Sequence, residues 1–151
     1  MDAVDGLSRL PGGPVRRMFA AARRHDLDAM VAEFADDYVN VTPNHPERSF
    51  TGSKQVRANW TNLFAGIPDL TPEIHDVAAG NDGTVWVEWG SRGTRRDGIP
   101  VELAGVAIIT VRDGKIAAMR FYLEPVERGS GNVDAAVRAT AGGDYPAVPR
   151  P

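Results

Sequence analysis

Two glutamates stand where a strand pattern does not ordinarily put them. Glu88 lies inside the run Val85-Trp86-Val87-Glu88-Trp89, and Glu124 closes the run Arg120-Phe121-Tyr122-Leu123 just before Pro125. A mid-strand Glu is disfavoured unless it is exposed or has a task. A carboxylate set in an apolar cavity has its charged form destabilised, which suits proton transfer near neutral pH. Two of them opening on one cavity divide the work, one holding a proton and one accepting it. Such a pair can serve enolisation, aldol closure, isomerisation, dehydration or epoxide opening by water, with no metal and no cofactor. The plainer alternatives are a solvated strand-end Glu124 and a structural Glu88–Arg120 ion pair.

The neighbouring chemistry is polar but not nucleophilic. Asn40 and Thr42 alternate on a short strand pattern, 38–42, and can hydrogen-bond a substrate or a water; ordinary edge-strand polarity explains them as well. Tyr38, Trp60, Trp86 and Tyr122 are candidate pocket walls, though a wall aromatic and a core aromatic read alike. His75, beside Ile74, is a candidate base whose simpler reading is an exposed strand histidine. His45, between Pro43 and Pro46, belongs to a loop placed to rim a pocket mouth, and again the plain surface reading is simpler. There is no cysteine, which excludes disulfides and thiolate ligands. The three histidines form no ligand motif, and no G-x-S-x-G turn is present.

The elements that would position these residues fall into two halves. Pro14 suits a first helical turn, and Val15, Met18, Phe19 and Ala22 give the stripe of a half-buried helix. A second short helix is expected over 27–34, with Leu27, Met30, Val31 and Phe34 on one face and Asp26 or Asp28 as cap. A third is expected over 53–64, carrying Val56, Trp60, Leu63 and Phe64. Beyond it runs a meander, with strands at 70–79, 84–94, 101–111 and 115–124. The turns Asp82-Gly83, Asp97-Gly98 and Asp113-Gly114 separate them, as tight hairpins require. Residues 1–13 read as a flexible arm, 14–127 as the domain, and 128–151 as a mobile tail with a short helix near 132–139.

Both faces of the strands are largely apolar, so both are expected to be covered. The helices can cover one face. The other is left for a second copy of the chain, an expected homodimer. The 151 residues suit one α+β domain, and 42% hydrophobic residues suffice for a core. A net charge of −3 with scattered arginines argues against nucleic acid. The acidic N-terminus has no apolar signal region, and no run approaches a membrane span, so a soluble cytoplasmic protein is expected. Lys54 and Lys115 are the only lysines; with the abundant Ala and Gly this suggests a high-GC bacterial source.

The order of three helices, a strand interposed, and a long meander resembles the nuclear transport factor 2-like superfamily, in particular its SnoaL-like branch. The resemblance covers about residues 14 to 127. It is carried by Phe34-Ala35-Asp36-Asp37, Thr51-Gly52-Ser53, the stretch 63–70 (LFAGIPDL), Val85-Trp86-Val87-Glu88-Trp89, Asp113-Gly114-Lys115-Ile116 and Arg120-Phe121-Tyr122-Leu123-Glu124. It implies a cone, in which a curled antiparallel sheet packs on the three N-terminal helices around an apolar pocket. Members include polyketide cyclases, epoxide hydrolases, steroid isomerases, dehydratases and non-catalytic binding modules.

The resemblance also implies roles. SnoaL-like cyclases and limonene-type epoxide hydrolases carry an acid–base aspartate where Glu124 stands, in the same Tyr-x-acid order; here the acid is one methylene longer. Epoxide hydrolases carry an Arg and an Asp two residues apart on a strand corresponding to Trp86 and Glu88, and Arg120 on the adjacent strand would have to supply the missing charge. Steroid isomerases carry their Asp near the end of the first strand, where this chain reads Thr42-Pro43-Asn44-His45 with no acid. The cyclases use a histidine, for which His75 is a candidate. The expectation is a cofactor-independent acid–base enzyme on a hydrophobic small molecule, most like a polyketide cyclase or isomerase of bacterial secondary metabolism. The alternatives are a limonene-type epoxide hydrolase and a non-catalytic binding or assembly module. If Glu88 and Glu124 both face the cavity, chemistry is favoured; if either faces solvent, the binding module gains.

Overall fold

Val15, Met18, Phe19 and Ala22 bury the expected stripe of the first helix, α1 (Pro14–Arg23), with Pro14 at its start. The computed structural model describes residues 6–146. A 3-10 turn at Leu7–Arg9 precedes α1, and Leu10 is 1% exposed. Gly6 approaches Ile74 so closely that a Cβ on it would meet the Ile74 carbonyl oxygen at 2.4 Å. Gly6 and Leu10, within the arm expected over 1–13, are therefore packed against the domain, while Ser8, Arg9, Pro11 and Gly12 are exposed; residues 1–5 of that arm lie outside the described residues.

The second helix, α2 (Leu27–Val31), starts on Asp26, whose side chain accepts the Ala29 N–H. It stops short of the expected 27–34. Phe34 instead begins β1 (Phe34–Val41), where it sets its ring edge-on to Tyr38 at 4.9 Å. A two-residue strand, β2 (Phe50–Thr51), follows, then α3 (Ser53–Gly66). The meander is β3 (Thr71–Ala79), β4 (Thr84–Thr94), β5 (Pro100–Arg112) and β6 (Lys115–Phe121), within a residue or two of the expected bounds except at the end of the last strand. There the chain breaks and re-pairs as β7 (Glu124–Pro125). Asp113 and Gly114 both adopt left-handed backbone (φ 54° and 73°), the geometry of the two-residue hairpin turn their sequence signals.

The sheet order is β2-β1-β6-β5-β4-β3, with β7 also on β5. Neighbours are antiparallel, except that β1 runs parallel to β6, as a strand returning from a distant part of the chain can. Register shifts occur on β1 between Phe34 and Val39, on β3 around His75 and on β6 around Ala117, opposite Thr110 and Val111. Such bulges bend strands and raise twist, which curls the sheet.

The inner face carries Val85, Val87, Trp89, Ala107, Ile109 and Met119, packed with Phe19, Met30 and Val15 in one core. The outer face carries Trp86, 48% exposed, with Val39 and Val41. The helices thus cover one face, and the other is open in the single chain. After β7 the Val126 amide donates to Glu102, and Arg128 holds the Glu102 carboxylate at 2.8 Å. A last helix, α4 (Val133–Ala141), is capped by Asn132 and lies where the short helix was expected; residues 147–151 of the tail are outside the described residues. No helix among the described residues is long and apolar enough to cross a membrane, which says nothing of a β-barrel.

Candidate functional site

A cavity of about 390 Å³ opens between α3, β1 and the ends of β6 and β7. Its apolar walls are Phe34, Phe50, Val56, Trp60, Leu63, Met119, Phe121 and Leu123. Its polar lining is Tyr38 and Asn40 on β1, Thr42 just after it, Arg48, Asn59 and Asn62 at other positions, and Glu124.

Alternation alone would have set Glu124 beside Arg120 on the outer face. The break after Phe121 resets the alternation. β5 pairs with β6 as far as Ala107–Phe121, and then with β7 at Ala104–Glu124. Gly105 makes this possible, because a Cβ there would stand 2.1 Å from the Tyr122 carbonyl oxygen. Leu123 and Glu124 consequently both reach the cavity.

Glu124 does not sit alone. His45 Nε2 lies 2.8 Å from its Oε1, with the two side chains 37% and 35% exposed. His45 is the residue that opens a 3-10 turn, Pro46–Arg48. That turn is closed by its own backbone: His45 N–H donates to Thr42, Arg48 N–H to His45, and Ser49 N–H to Pro46, at 2.9–3.1 Å. The Ser49 hydroxyl accepts the Thr42 amide at 3.0 Å. The Pro-flanked loop therefore holds the imidazole over the carboxylate. His45 is partly exposed, as the simpler surface reading has it, and its partner is Glu124. The sequence signal was present in the rigid Pro43-x-x-Pro46 frame, but the partner was 79 residues away.

On β1 a directed chain of hydrogen bonds runs along the cavity wall. The Tyr38 hydroxyl donates to Asn40 Oδ1 at 2.8 Å, and Asn40 Nδ2 donates to Thr42 Oγ1 at 3.2 Å. Asn40 and Thr42 are 7% and 6% exposed, so their polarity is not that of an edge strand facing water. Burial pushes the Tyr38 phenol well above its ordinary range, which makes it a hydrogen-bonding group rather than a proton source near neutral pH.

The other expected site residues lie elsewhere. Glu88 and Trp86 are on the outer face of β4, away from Val85, Val87 and Trp89, and both are exposed. The alternation was legible, but the face the helices would choose was not. The expected pairing of Glu88 with Arg120 on an adjacent strand also fails. β5 stands between them, with Ile108 paired to both Trp86 and Arg120, and two strand spacings amount to about 9–10 Å. Tyr122 and Arg120 do not line the cavity. His75 is exposed at the β3 bulge with its ring over Gly90, and does not line the cavity either. Of the expected aromatic walls, Tyr38 and Trp60 line the cavity. Arg48, Asn59 and Asn62 carried no distinguishing signal, because solvated polar residues in a loop or a helix read the same way. Among the described residues no three His, Cys, Asp or Glu side chains gather as a metal-holding group.

A curled sheet closed by helices around one end-opening cavity is the architecture of the nuclear transport factor 2-like proteins. The chain belongs to the SnoaL-like domain family, whose model matches residues 15–119. Solved structures repeat the fold. AclR of Streptomyces galilaeus, provisionally a hydroxylase, is 19% identical with a TM-score of 0.64, over 74% of this chain and 86% of its own. A Sinorhizobium meliloti protein with a provisional polyketide-cyclase assignment is 24% identical with a TM-score of 0.60, over 78% and 98%. An M. tuberculosis epoxide hydrolase of the LEH-like kind is 19% identical with a TM-score of 0.63, over 74% and 80%. These likenesses establish the fold alone. No curated protein matches the chain.

Proposed function

We propose that the chain is a cofactor-independent general acid–base enzyme acting on a hydrophobic small molecule, most like a polyketide cyclase or isomerase of bacterial secondary metabolism. The observation that carries this reading is the 2.8 Å contact of His45 with Glu124, the one carboxylate lining a mainly apolar cavity. With Nε2–H directed at Oε1, the imidazole leaves the second carboxylate oxygen to take a proton from a bound C–H or O–H acid. Nδ1 of the same ring can exchange protons with solvent, because the pair is about one-third exposed. The pair thus replaces the Glu88–Glu124 couple expected from sequence. The Asn40–Thr42 wall supplies hydrogen bonds to the oxygen on which charge develops.

The position of Glu88 supports a second reading, a non-catalytic binding module, since one carboxylate rather than two faces the cavity. The epoxide-hydrolase reading keeps Asn40 and Thr42 near Glu124 as seats for a water, but has apolar Val85, Val87 and Trp89 on the inner face of β4 where it needs charge. We also infer that a second copy covers the outer face, where Trp86, Val39 and Val41 are 48%, 41% and 40% exposed; a monomer mass at micromolar concentration would count against this.

Deuterium exchange at the acidic C–H of 2-tetralone, followed by proton NMR in D₂O, tests the enzymatic reading without knowledge of the substrate. The native protein should accelerate exchange. Glu124→Gln should remove roughly 10²-fold or more of the acceleration with a similar melting temperature, and Glu88→Gln should change nothing. Native-rate exchange in the Glu124→Gln protein would sink the mechanism, and no acceleration by the native protein would favour the binding module.

A further inference from the structure

Arg48 lines the cavity, is exposed, and is paired with no carboxylate among the described residues. Glu124, the one acid in the same lining, is engaged by His45. In the same lining, Asn59 on α3 accepts from Gln55 Nε2 through its Oδ1 at 2.7 Å. That bond fixes the sense of the Asn59 amide and leaves its Nδ2 hydrogens available to a ligand. Two elements of the lining thus offer donors to a ligand, a guanidinium from the 3-10 turn and an amide NH₂ from the helix. The turn that carries Arg48 is the one closed by the His45, Arg48 and Ser49 amides, so the backbone at Arg48 is fixed relative to His45, which pairs with Glu124.

We propose that the ligand is an apolar molecule carrying one carboxylate, and that Arg48, with Asn59, is its specificity-determining contact. This rests on the cavity being the ligand site, as in the reading above, and adds the class of ligand. A guanidinium fork matches a planar carboxylate in two parallel hydrogen bonds. One cation and one amide balance a monoanion rather than a phosphate dianion. The apolar body then lies along Trp60, Phe121 and Leu123, and the reacting carbon approaches Glu124. The carboxylate stays at the rim, away from the like charge of Glu124.

The test is a matched pair of probes, 2-naphthoate and methyl 2-naphthoate, titrated at neutral pH against the full chain and followed by tryptophan fluorescence and calorimetry. The native protein should bind the acid on the order of tenfold more tightly than the ester. Arg48→Met keeps the aliphatic stem and should erase that preference while leaving ester affinity and melting temperature unchanged. Arg48→Lys should retain part of it, and added salt should weaken the acid alone. Glu124→Gln should keep the preference, so this proposal and the acid–base mechanism fail on different measurements. Equal binding of the two probes, binding of neither, or an acid preference that survives in Arg48→Met overturns the proposal.

Discussion

Replacing Gly105 with Ala tests whether the close crossing of β5 and the segment 122–123 is what delivers Glu124 to the cavity. A Cβ at 105 would lie 2.1 Å from the Tyr122 carbonyl oxygen and 2.8 Å from Leu123 Cα, all backbone atoms that cannot rotate aside. The shortfall from ordinary contact exceeds about 1 Å, so the segment must move. Overpacking of this sort costs about 1–3 kcal/mol, and the rigid neighbours favour the upper end. The Tyr122 amide bond to Val106, 2.9 Å long, lies in the displaced segment and adds about 1 kcal/mol if it is lost. Gly105→Ala should therefore lose about 3–4 kcal/mol in urea unfolding, and the His45 ring NMR signals should move at fixed pH as the 2.8 Å contact with Glu124 is lost. Gly98→Ala is the control. Gly98 has φ 86° with nothing near its would-be Cβ, so only the backbone preference is disturbed, at about 1 kcal/mol. A Gly105→Ala protein that is as stable as the control and keeps the native His45 ring signals would refute the reasoning.

Tyr38 should shape alkaline stability. Burial keeps the folded phenol protonated above the ordinary value near ~10, so between the two the unfolded chain binds one proton fewer, and stability should fall with rising pH by about 1.4 kcal/mol per unit. Tyr38→Phe should flatten that fall in urea melts, while costing about 1–3 kcal/mol at neutral pH because Asn40 Oδ1 loses its donor; an unchanged alkaline slope would contradict the assignment. Ser91 is 2% exposed and its hydroxyl has no hydrogen-bond partner among the described residues. Ser91→Ala should accordingly be neutral or stabilising by up to about 1 kcal/mol, a rise of roughly 2–4 °C in melting temperature; a clear loss of stability would show a partner for the hydroxyl.

The periodic parts of the fold were legible and the irregular parts were not. Val15, Met18, Phe19 and Ala22 declared α1, and the Asp-Gly turns marked every hairpin of the meander. Alternation separated Trp86 and Glu88 from Val87 and Trp89 correctly, yet it is symmetric between faces and could not say which one the helices would take. The site itself depends on exceptions to periodicity. The break between β6 and β7 turns Glu124 inward, and no pattern in Tyr122-Leu123 announces it, because the cause is a glycine on the neighbouring strand. His45 and Arg48 lie in a loop, where spacing carries no facing information. Asn40 and Thr42 were legible as a pair but not as buried, since an edge strand and a cavity wall share their alternation.

The parallel seam between β1 and β6 also fixes when the cavity can exist. Asn40 pairs with Met119, and Val39 with Ala118. Every polar group on β1 is thus synthesised early and waits for a strand made nearly eighty residues later. Contacts of such separation close slowly, because chain entropy must be lost before they reward it. Helices α1 to α3 and the β3–β5 hairpins can form from near neighbours, whereas the cavity wall cannot. On a chain still emerging from the ribosome, ligand binding is therefore the last property acquired, and it arrives with β6 and β7 together.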